Sequence, residues 1–401
     1  MKKFILFLAF WLCTFYTFSQ QPFSMEDAVR YLASPELEGR KIQTKGDTLT
    51  IQYLVNQFEK IGIKPFFDHF GQPVCGRSIL TRSKNEICSK NVVAWVEGTD
   101  SNLKEEYILI CAHFDHLGKA TGVYFPGAND NASGTATVIY LANYFAKNPT
   151  KRSIIFACFS GEEIGFLGSN NFIKSFPEPL KQIKYVINFD MVGRYDQDGL
   201  SIMGEQSSKI LEKTVRKISG KEKMNMEKPS FQFFNGSDHY VFYLKNIPFL
   251  CFNTGDDTKN YHRPKDIADS IDFKGMEMIA TFAKQVIAEL GNDNKKNHFK
   301  KIEQEKLKIN KDEAAQRIFM NPNKFGFMFD FMEECGNEIV ITKTTKSGSS
   351  AGLLAGDKVI KINGKGFTCS MDYFELARTE KEKPYKITII RDDVEMEIEV
   401  N

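Results

Sequence analysis

The 401-residue sequence is poor in several features that would each point to a class of function. Its 53 basic and 51 acidic residues nearly cancel, and no basic stripe stands out, so nucleic acid is not an expected partner. None of the eight cysteines sits in a Cys-x-x-Cys pair, and together they do not make the framework of a small disulfide scaffold. Ser160 lies in Phe-Ser-Gly-Glu-Glu, which lacks the Gly-x-Ser-x-Gly elbow of a serine nucleophile. Cys158 is embedded in an apolar strand-like run with no adjacent base, which argues against a thiol nucleophile. There is no internal repeat and no low-complexity tract, and 42% hydrophobic with 26% charged residues is ordinary globular composition.

At the start, Lys2 and Lys3 precede an apolar run from Phe4 to Phe18 and then Ser19-Gln20-Gln21. This is the order of a secretory signal, and the run is short of the roughly 20 apolar residues that span a membrane. Residues 1–20 are therefore expected to be a signal peptide, with no stable membrane span and export to a periplasmic or extracellular space of bacterial type. Cys111, Cys158 and Cys251 sit in apolar runs and read as buried thiols, whereas Cys75 and Cys88 lie in polar, loop-like sequence and could pair in an oxidising compartment.

The periodicities predict helices between Ser24 and Ile63, with Ser24 and Asp27 as a capping box. Strands follow at Asn91–Val96, Tyr107–Cys111, Ser153–Phe159, Tyr185–Phe189 and Pro248–Phe252. Helices are expected at Ala132–Phe145, Glu162–Ile173 and Asp266–Leu290. Strands that are apolar throughout and separated by helices imply an α/β fold, with a mixed, mostly parallel central sheet and helices on both faces. From Gly291 to Ile318 the sequence turns strongly charged, as in Asn294-Lys295-Lys296, and reads as a helical linker (294–320). Beyond it the pattern is strand-rich, at Phe325–Phe329, Glu338–Thr342, Lys358–Ile362, Tyr385–Arg391 and Val394–Val400. The expected division is a main domain at 21–293 and a small β-rich domain at 321–401.

Polar groups follow these strands closely. His113 comes directly after Tyr107–Cys111, Glu162 and Glu163 after Ser153–Phe159, and Asp190 after Tyr185–Phe189. Asp130 precedes a helix, and a later loop carries Tyr261-His262. In open α/β sheets ligands bind beyond the carboxyl ends of the strands, and a mixture of imidazole and carboxylate suits zinc. Taken singly, each residue has a plainer use: Asp130 as a helix cap, Glu162 and Glu163 as first-turn acids. His69, His116 and His298 have no partner pattern and read as surface or structural residues.

Jointly, the segments His113-Phe114-Asp115, Pro126 to Gly134, Gly161 to Ser169, Asn188-Phe189-Asp190-Met191, Ser237-Asp238-His239 and Tyr261-His262 resemble the di-zinc exopeptidases of metallopeptidase family 28, the aminopeptidase Y and bacterial leucyl aminopeptidase type. The resemblance covers roughly Leu32 to Leu290. It implies the zinc-exopeptidase fold and two Zn2+ ions bridged by Asp130, one also held by His113 and Asp190, the other by Glu163 and His262. Glu162 would be the general base, Tyr261 a donor to the oxyanion, and Asp115 the residue that fixes the His113 tautomer. Asp238 and His239 would line the substrate pocket, and the Asp130–Asn131 peptide would be cis. The implied activity is secreted zinc-dependent aminopeptidase action on peptide substrates. Alternatives are a zinc acyltransferase of glutaminyl-cyclase type and an inactive scaffold.

Ser350 to Gly364, with Lys324 to Met328, resembles a PDZ domain of bacterial kind. That resemblance implies a carboxylate-binding loop at Phe325, Gly326 and Phe327 and a C-terminal peptide or protein ligand.

Overall fold

A computed structural model of the chain describes residues 23–77, 86–120, 123–222, 224–227, 236–255, 260–302, 325–328, 338–341, 343–366, 376, 380 and 383–401. The expected signal segment and most of the expected linker lie outside the described residues.

The main domain is built on a nine-stranded sheet. Named by first residue, the strand order is Lys64, Ile87, Ser153, Tyr107, Ile183, Phe249, Leu200, Met226, with Gly71–Gly76 pairing on Ile87–Val96. The four central strands, Ser153–Phe159, Tyr107–His113, Ile183–Phe189 and Phe249–Asn253, run parallel. Their carboxyl ends therefore face one edge. Outer strands are added antiparallel on both sides, so the sheet is mixed with a parallel centre, as its apolar strand runs predict.

Side-chain alternation explains those runs. In Tyr107–His113, Ile108, Ile110 and Ala112 join one apolar layer, whereas Tyr107, Leu109 and Cys111 join the other. Helices Lys45–Ile61, Gly134–Lys147, Lys209–Glu222 and Phe273–Asn292 contribute to the first layer, and Leu167–Ser175 and His239–Tyr243 to the second. Both faces of each central strand are buried, so the strands read as near-continuous apolar runs, and a polar exception such as Asn188 is hydrogen-bonded, to Ser237 Oγ.

Several boundaries differ from the sequence reading. Glu162 and Glu163 precede the helix Leu167–Ser175 instead of starting it. Gly161, Gly165 and Phe166 take positive φ there, which forces a turn before the helix. Asp266 likewise lies outside the helix Phe273–Asn292, whose cap is Asp272. Cys75 and Cys88 are not in loops: they oppose each other on paired strands and form a disulfide. The described start of the expected linker, residues 294–302, is not helical. It is pinned to the main domain by Lys300 N–H on Ser207 O, Ile302 N–H on the Tyr243 hydroxyl, and burial of Ile302. The lysines there face water, so the charge pattern hides an anchoring segment.

The C-terminal region forms a separate five-stranded antiparallel sheet. Its strands are Ile339–Val340, Lys358–Ile362, Lys365–Gly366, Tyr385–Arg391 and Val394–Val400, around their own apolar core. Within it Asp357 accepts from Arg391 Nε and Nη2, each at 2.6 Å, and from Leu354 N–H at 2.8 Å. Burial opposes ionisation, but these donors win and hold the Asp357 carboxyl below its ordinary value. A depressed folded value means the stabilisation is complete above the ordinary carboxylate range and is lost as pH falls through the folded value. Asp357→Asn is expected to cost about 1–3 kcal/mol at neutral pH and to flatten the acid side of the profile. Amide exchange of strands Tyr385–Arg391 and Val394–Val400 between pH 3 and 7 checks this.

Candidate metal centre

The parallel strands deliver their polar ends to one place. His113 closes its strand, and Asp190 follows Ile183–Phe189, with Asp190 N–H bonded to Phe252 O of the neighbouring strand. His113 Nε2 lies 3.4 Å from Asp130 Oδ1 and 3.5 Å from Asp190 Oδ1. On the other side, His262 Nε2 lies 3.1 Å from Asp130 Oδ2 and 3.2 Å from Glu163 Oε2. Each oxygen of Asp130 thus faces a different imidazole.

These spacings fit metal ions. Ligand atoms about 2 Å from a tetrahedral zinc are separated by roughly 3.3 Å. His262 Nε2 is buried and makes no hydrogen bond, although two carboxylate oxygens are close. A nitrogen aimed between two acids without bonding either is the arrangement that a shared cation satisfies. The two sets His113, Asp130, Asp190 and His116, Asp130, Glu163, His262 each bring their donor atoms within 4.8 Å of one another.

The acids are held mainly by backbone. Asp266 accepts from the N–H groups of Asn129 and Asp130 at 2.9 to 3.0 Å and pairs with Arg194. Asn131, joined to Asp130 by a cis peptide, caps the helix Gly134–Lys147 through Gly134 N–H. The cap that Asp130 was free to make is therefore made by its neighbour. Asn131 also donates to Phe189 O and accepts from Met191 N–H, which ties the Asp130 turn to the Asp190 strand.

Asp115 acts differently from expectation. Its backbone carbonyl, at 3.1 Å, partners His113 Nδ1, while its carboxylate oxygen is 3.7 Å away. The carboxylate accepts instead from Glu162 and Glu163 N–H, at 3.1 and 3.4 Å. One residue thus orients both the histidine and the acidic pair. Asp238 and His239 do not line an open pocket. Both are fully buried, His239 stacked on Phe249 and Asp238 accepting from Ser169 Oγ at 2.5 Å.

Sequence reasoning missed two members. His116, read as surface or structural, is buried in the centre with Nδ1 2.9 Å from Glu163 Oε1; His69 and His298 are exposed as expected. Its place just after His113-Phe114-Asp115 was the available signal. Arg40 is also fully buried and donates to four carbonyls, Leu32, Phe114, Pro126 and Gly127, at 2.5 to 2.8 Å. No sequence pattern announces it.

Electrostatics follow from burial and crowding. Burial opposes charge on His113, yet Glu162 and the acids Asp115, Asp130 and Asp190 raise its pKa well above the ordinary value. Asp130 is driven well below its usual range by His113, His262 and His116 against the opposing effect of burial. Burial, with Glu163, Asp190 and Asp238, raises Glu162 well above a normal glutamate. Burial first, then the surrounding carboxylates, keeps the Tyr261 phenol protonated. Its ring stacks on His262 with centroids 3.9 Å apart. Burial lowers Arg40 to about 10 against the pull of Asp266, Asp130, Asp115 and Glu163.

Histidines and carboxylates gathered at the carboxyl ends of the parallel strands make a candidate metal centre. Residues 91–287 match the family described as Peptidase family M28. The described aminopeptidase YwaD of Bacillus subtilis (strain 168) is 27% identical over 206 residues, covering 49% of this chain and 44% of its own length. An aminopeptidase of Pseudomonas aeruginosa (strain UCBPP-PA14) is 30% identical over 186 residues, covering 44% of this chain and 32% of its own. The chain thus spans less than half the length of these curated relatives. Among solved structures, the aminopeptidase from Aneurinibacillus sp. strain AM-1 superposes with a TM-score of 0.55 at 15% identity, covering 70% of this chain and 96% of that one. A Bacteroides thetaiotaomicron glutaminyl cyclase bound to N-acetylhistamine gives 0.52 at 18%, covering 68% and 97%. Both show the shared fold.

Replacing Arg40 with Met would leave four buried carbonyls without their donor. The expected cost is on the order of 3 kcal/mol, read from urea unfolding, since unmade bonds at buried groups are expensive. A loss under about 0.5 kcal/mol, the level of an ordinary surface change, would refute the role given to Arg40.

Proposed function

We propose that this protein is an exported, two-zinc aminopeptidase that hydrolyses the N-terminal bond of peptides. The observation that carries the two-metal reading is Asp130, whose two oxygens face separate histidines at 3.4 and 3.1 Å. His113 and Asp190 would complete one set, and Glu163 and His262 the other. The choice of the N-terminal bond is supported by the names of the relatives, which are aminopeptidases.

When bound, the zinc pair would supply Lewis-acid polarisation of the scissile carbonyl and acidify the attacking water. Glu162, whose preference for a proton is raised by burial, takes a proton from that water and delivers it to the departing amine. Tyr261 remains protonated and donates to the oxyanion as the carbonyl becomes tetrahedral. Asp115 keeps Glu162 in place through its backbone N–H. Nearby carboxylates would also favour a substrate's ammonium group, an argument from charge alone.

Export is supported by the Lys2-Lys3 and apolar N-terminal pattern and by the Cys75–Cys88 disulfide, a bond that persists in oxidising compartments. Among the described residues no helix is long and apolar enough to cross a membrane. The C-terminal sheet is read as a PDZ domain, with Phe325 to Phe327 as the loop that receives a peptide carboxylate. Gly326 takes φ +89° there and packs on Gly348.

A second reading, acyl transfer of the glutaminyl-cyclase type, draws on the fold shared with the cyclase structure, at a TM-score of 0.52 against 0.55 for the aminopeptidase. Metal content separates the two, because such cyclases use a single zinc. Wild type is expected to hold two zinc ions, and Asp130→Ala to weaken both. His262→Ala should weaken one. Elemental analysis of protein equilibrated in buffered zinc distinguishes these outcomes. Glu162→Gln should keep its zinc yet lose hydrolysis of aminoacyl-nitroanilides by several powers of ten, as for a base acting beside metals. Retained hydrolysis in that variant would remove Glu162 from the mechanism.

A further inference from the structure

We propose that His116 is a positioning residue for the second metal: its Nδ1–H donates to Glu163 Oε1 and thereby turns Oε2 toward His262 and Asp130. The inference rests on the two-metal reading above. His116 Nδ1 is 2.9 Å from Glu163 Oε1, an ordinary hydrogen-bond length, and the other oxygen of the same carboxylate is 3.2 Å from His262 Nε2. The two Glu163 oxygens thus have separate tasks.

The ring has little freedom. It is almost fully buried, and its backbone N–H approaches Arg40 O at 3.4 Å. It meets the His262 ring edge-on with centroids 5.6 Å apart. Gly127 lies directly beneath, where an added Cβ would stand 2.6 Å from His116 Cγ and Cδ2. Glycine at 127, with φ +58°, therefore makes room for the imidazole.

His116 could instead be a metal ligand, because its Nδ1 is also 3.9 Å from Asp130 Oδ2. Two features favour the donor role. Ligation through Nδ1 would move the ring proton to Nε2, which is buried and has no partner. An orphaned buried N–H carries its full desolvation penalty. Donation from Nδ1 leaves only a lone pair at Nε2, which is the more tolerable omission. The 2.9 Å contact is also shorter than the roughly 3.3 Å expected between two ligands of one tetrahedral zinc. Partners that orient metal ligands typically contribute 10- to 100-fold in affinity.

The test measures zinc bound per full-length chain across a series of chelator-buffered free zinc levels. Wild type should take up two ions. His116→Gln, whose amide reaches only the Nε2 position, should lose roughly 10- to 100-fold in the affinity of one site and leave the other unchanged. His116→Asn, whose amide nitrogen lies near the Nδ1 position, should restore most of that loss. Unchanged uptake by His116→Gln overturns the proposal. Equal losses in the Asn and Gln variants, with melting of the zinc-free proteins unaltered, also overturn it, in favour of direct ligation. Uptake of one ion or none by wild type would overturn the two-metal reading itself, a distinct result. If His116→Gln fails to fold, weakened uptake by a folded His116→Asn rules out the donor role, and wild-type uptake by it supports that role.

Discussion

Buried negative charge is the constraint around which the main domain is arranged. Asp115, Asp130, Glu163 and Asp190 are buried within one small volume, and Glu162 is nearly so. Carboxylates taken out of water cost several kcal/mol each unless paired or hydrogen-bonded. Some of the cost is offset locally: Asp115 accepts two N–H groups, and Glu163 accepts from His116. Arg40 adds a buried positive charge bonded only to carbonyls, among the contacts described, so its field acts on the acids at a distance. The remainder calls for cations, and the spacing of His113, Asp130 and His262 suits them.

The fold serves that requirement by separating rigidity from chemistry. Parallel strands buried on both faces fix where His113 and Asp190 emerge, because a slip of register would draw the polar groups at the strand ends into the apolar layers. The intervening turns are then tied to those strand ends. Asn131 links the Asp130 turn to Phe189 and Met191, and Asp266 reaches back from a distant turn to hold the Asn129 and Asp130 N–H groups. Arg40 bonds the N-terminal helical region to the His113 and Asp130 turns at once. A defect in any of these ties would move side chains of the centre that it does not touch.

This division also explains what was legible in the sequence. Apolar strand runs and the acids and histidines that follow them are local signals, and Tyr107–His113, Ser153–Phe159 and Ile183–Phe189 appear close to where the pattern puts them. Roles set by tertiary contacts were not legible. His116 follows His113-Phe114-Asp115 directly, but its partner Glu163 lies 47 residues away, and the Asp115 carboxylate serves backbone amides that lie 47 and 48 residues away. The start of the helix after Glu163 was misread because positive φ at Gly165 and Phe166 breaks a pattern that apolar spacing alone would begin earlier. The anchoring of residues 294–302 was hidden for a related reason: Phe299 and Ile302 make the contact, while the charged neighbours dominate the composition.

The two halves of the centre are not built alike. His113 and Asp190 stand at strand ends, so their positions are inherited from the sheet. Glu163 sits in a turn, and His262 holds φ +54°, a left-handed value uncommon for a non-glycine residue and sustained only by its surroundings. Side chains placed in that way depend on neighbours for orientation: Glu163 on Asp115 and His116, and His262 on the stacked Tyr261 ring. A set placed by the sheet keeps its geometry when a side contact is lost, whereas a set placed by turns does not. The half that carries Glu163 and His262 is therefore the more easily perturbed, and it is also where Glu162 and Tyr261, the groups that would move protons, adjoin the ligands in sequence. Chemistry and adjustability fall on the same side of Asp130, with the rigid sheet as the fixed reference on the other.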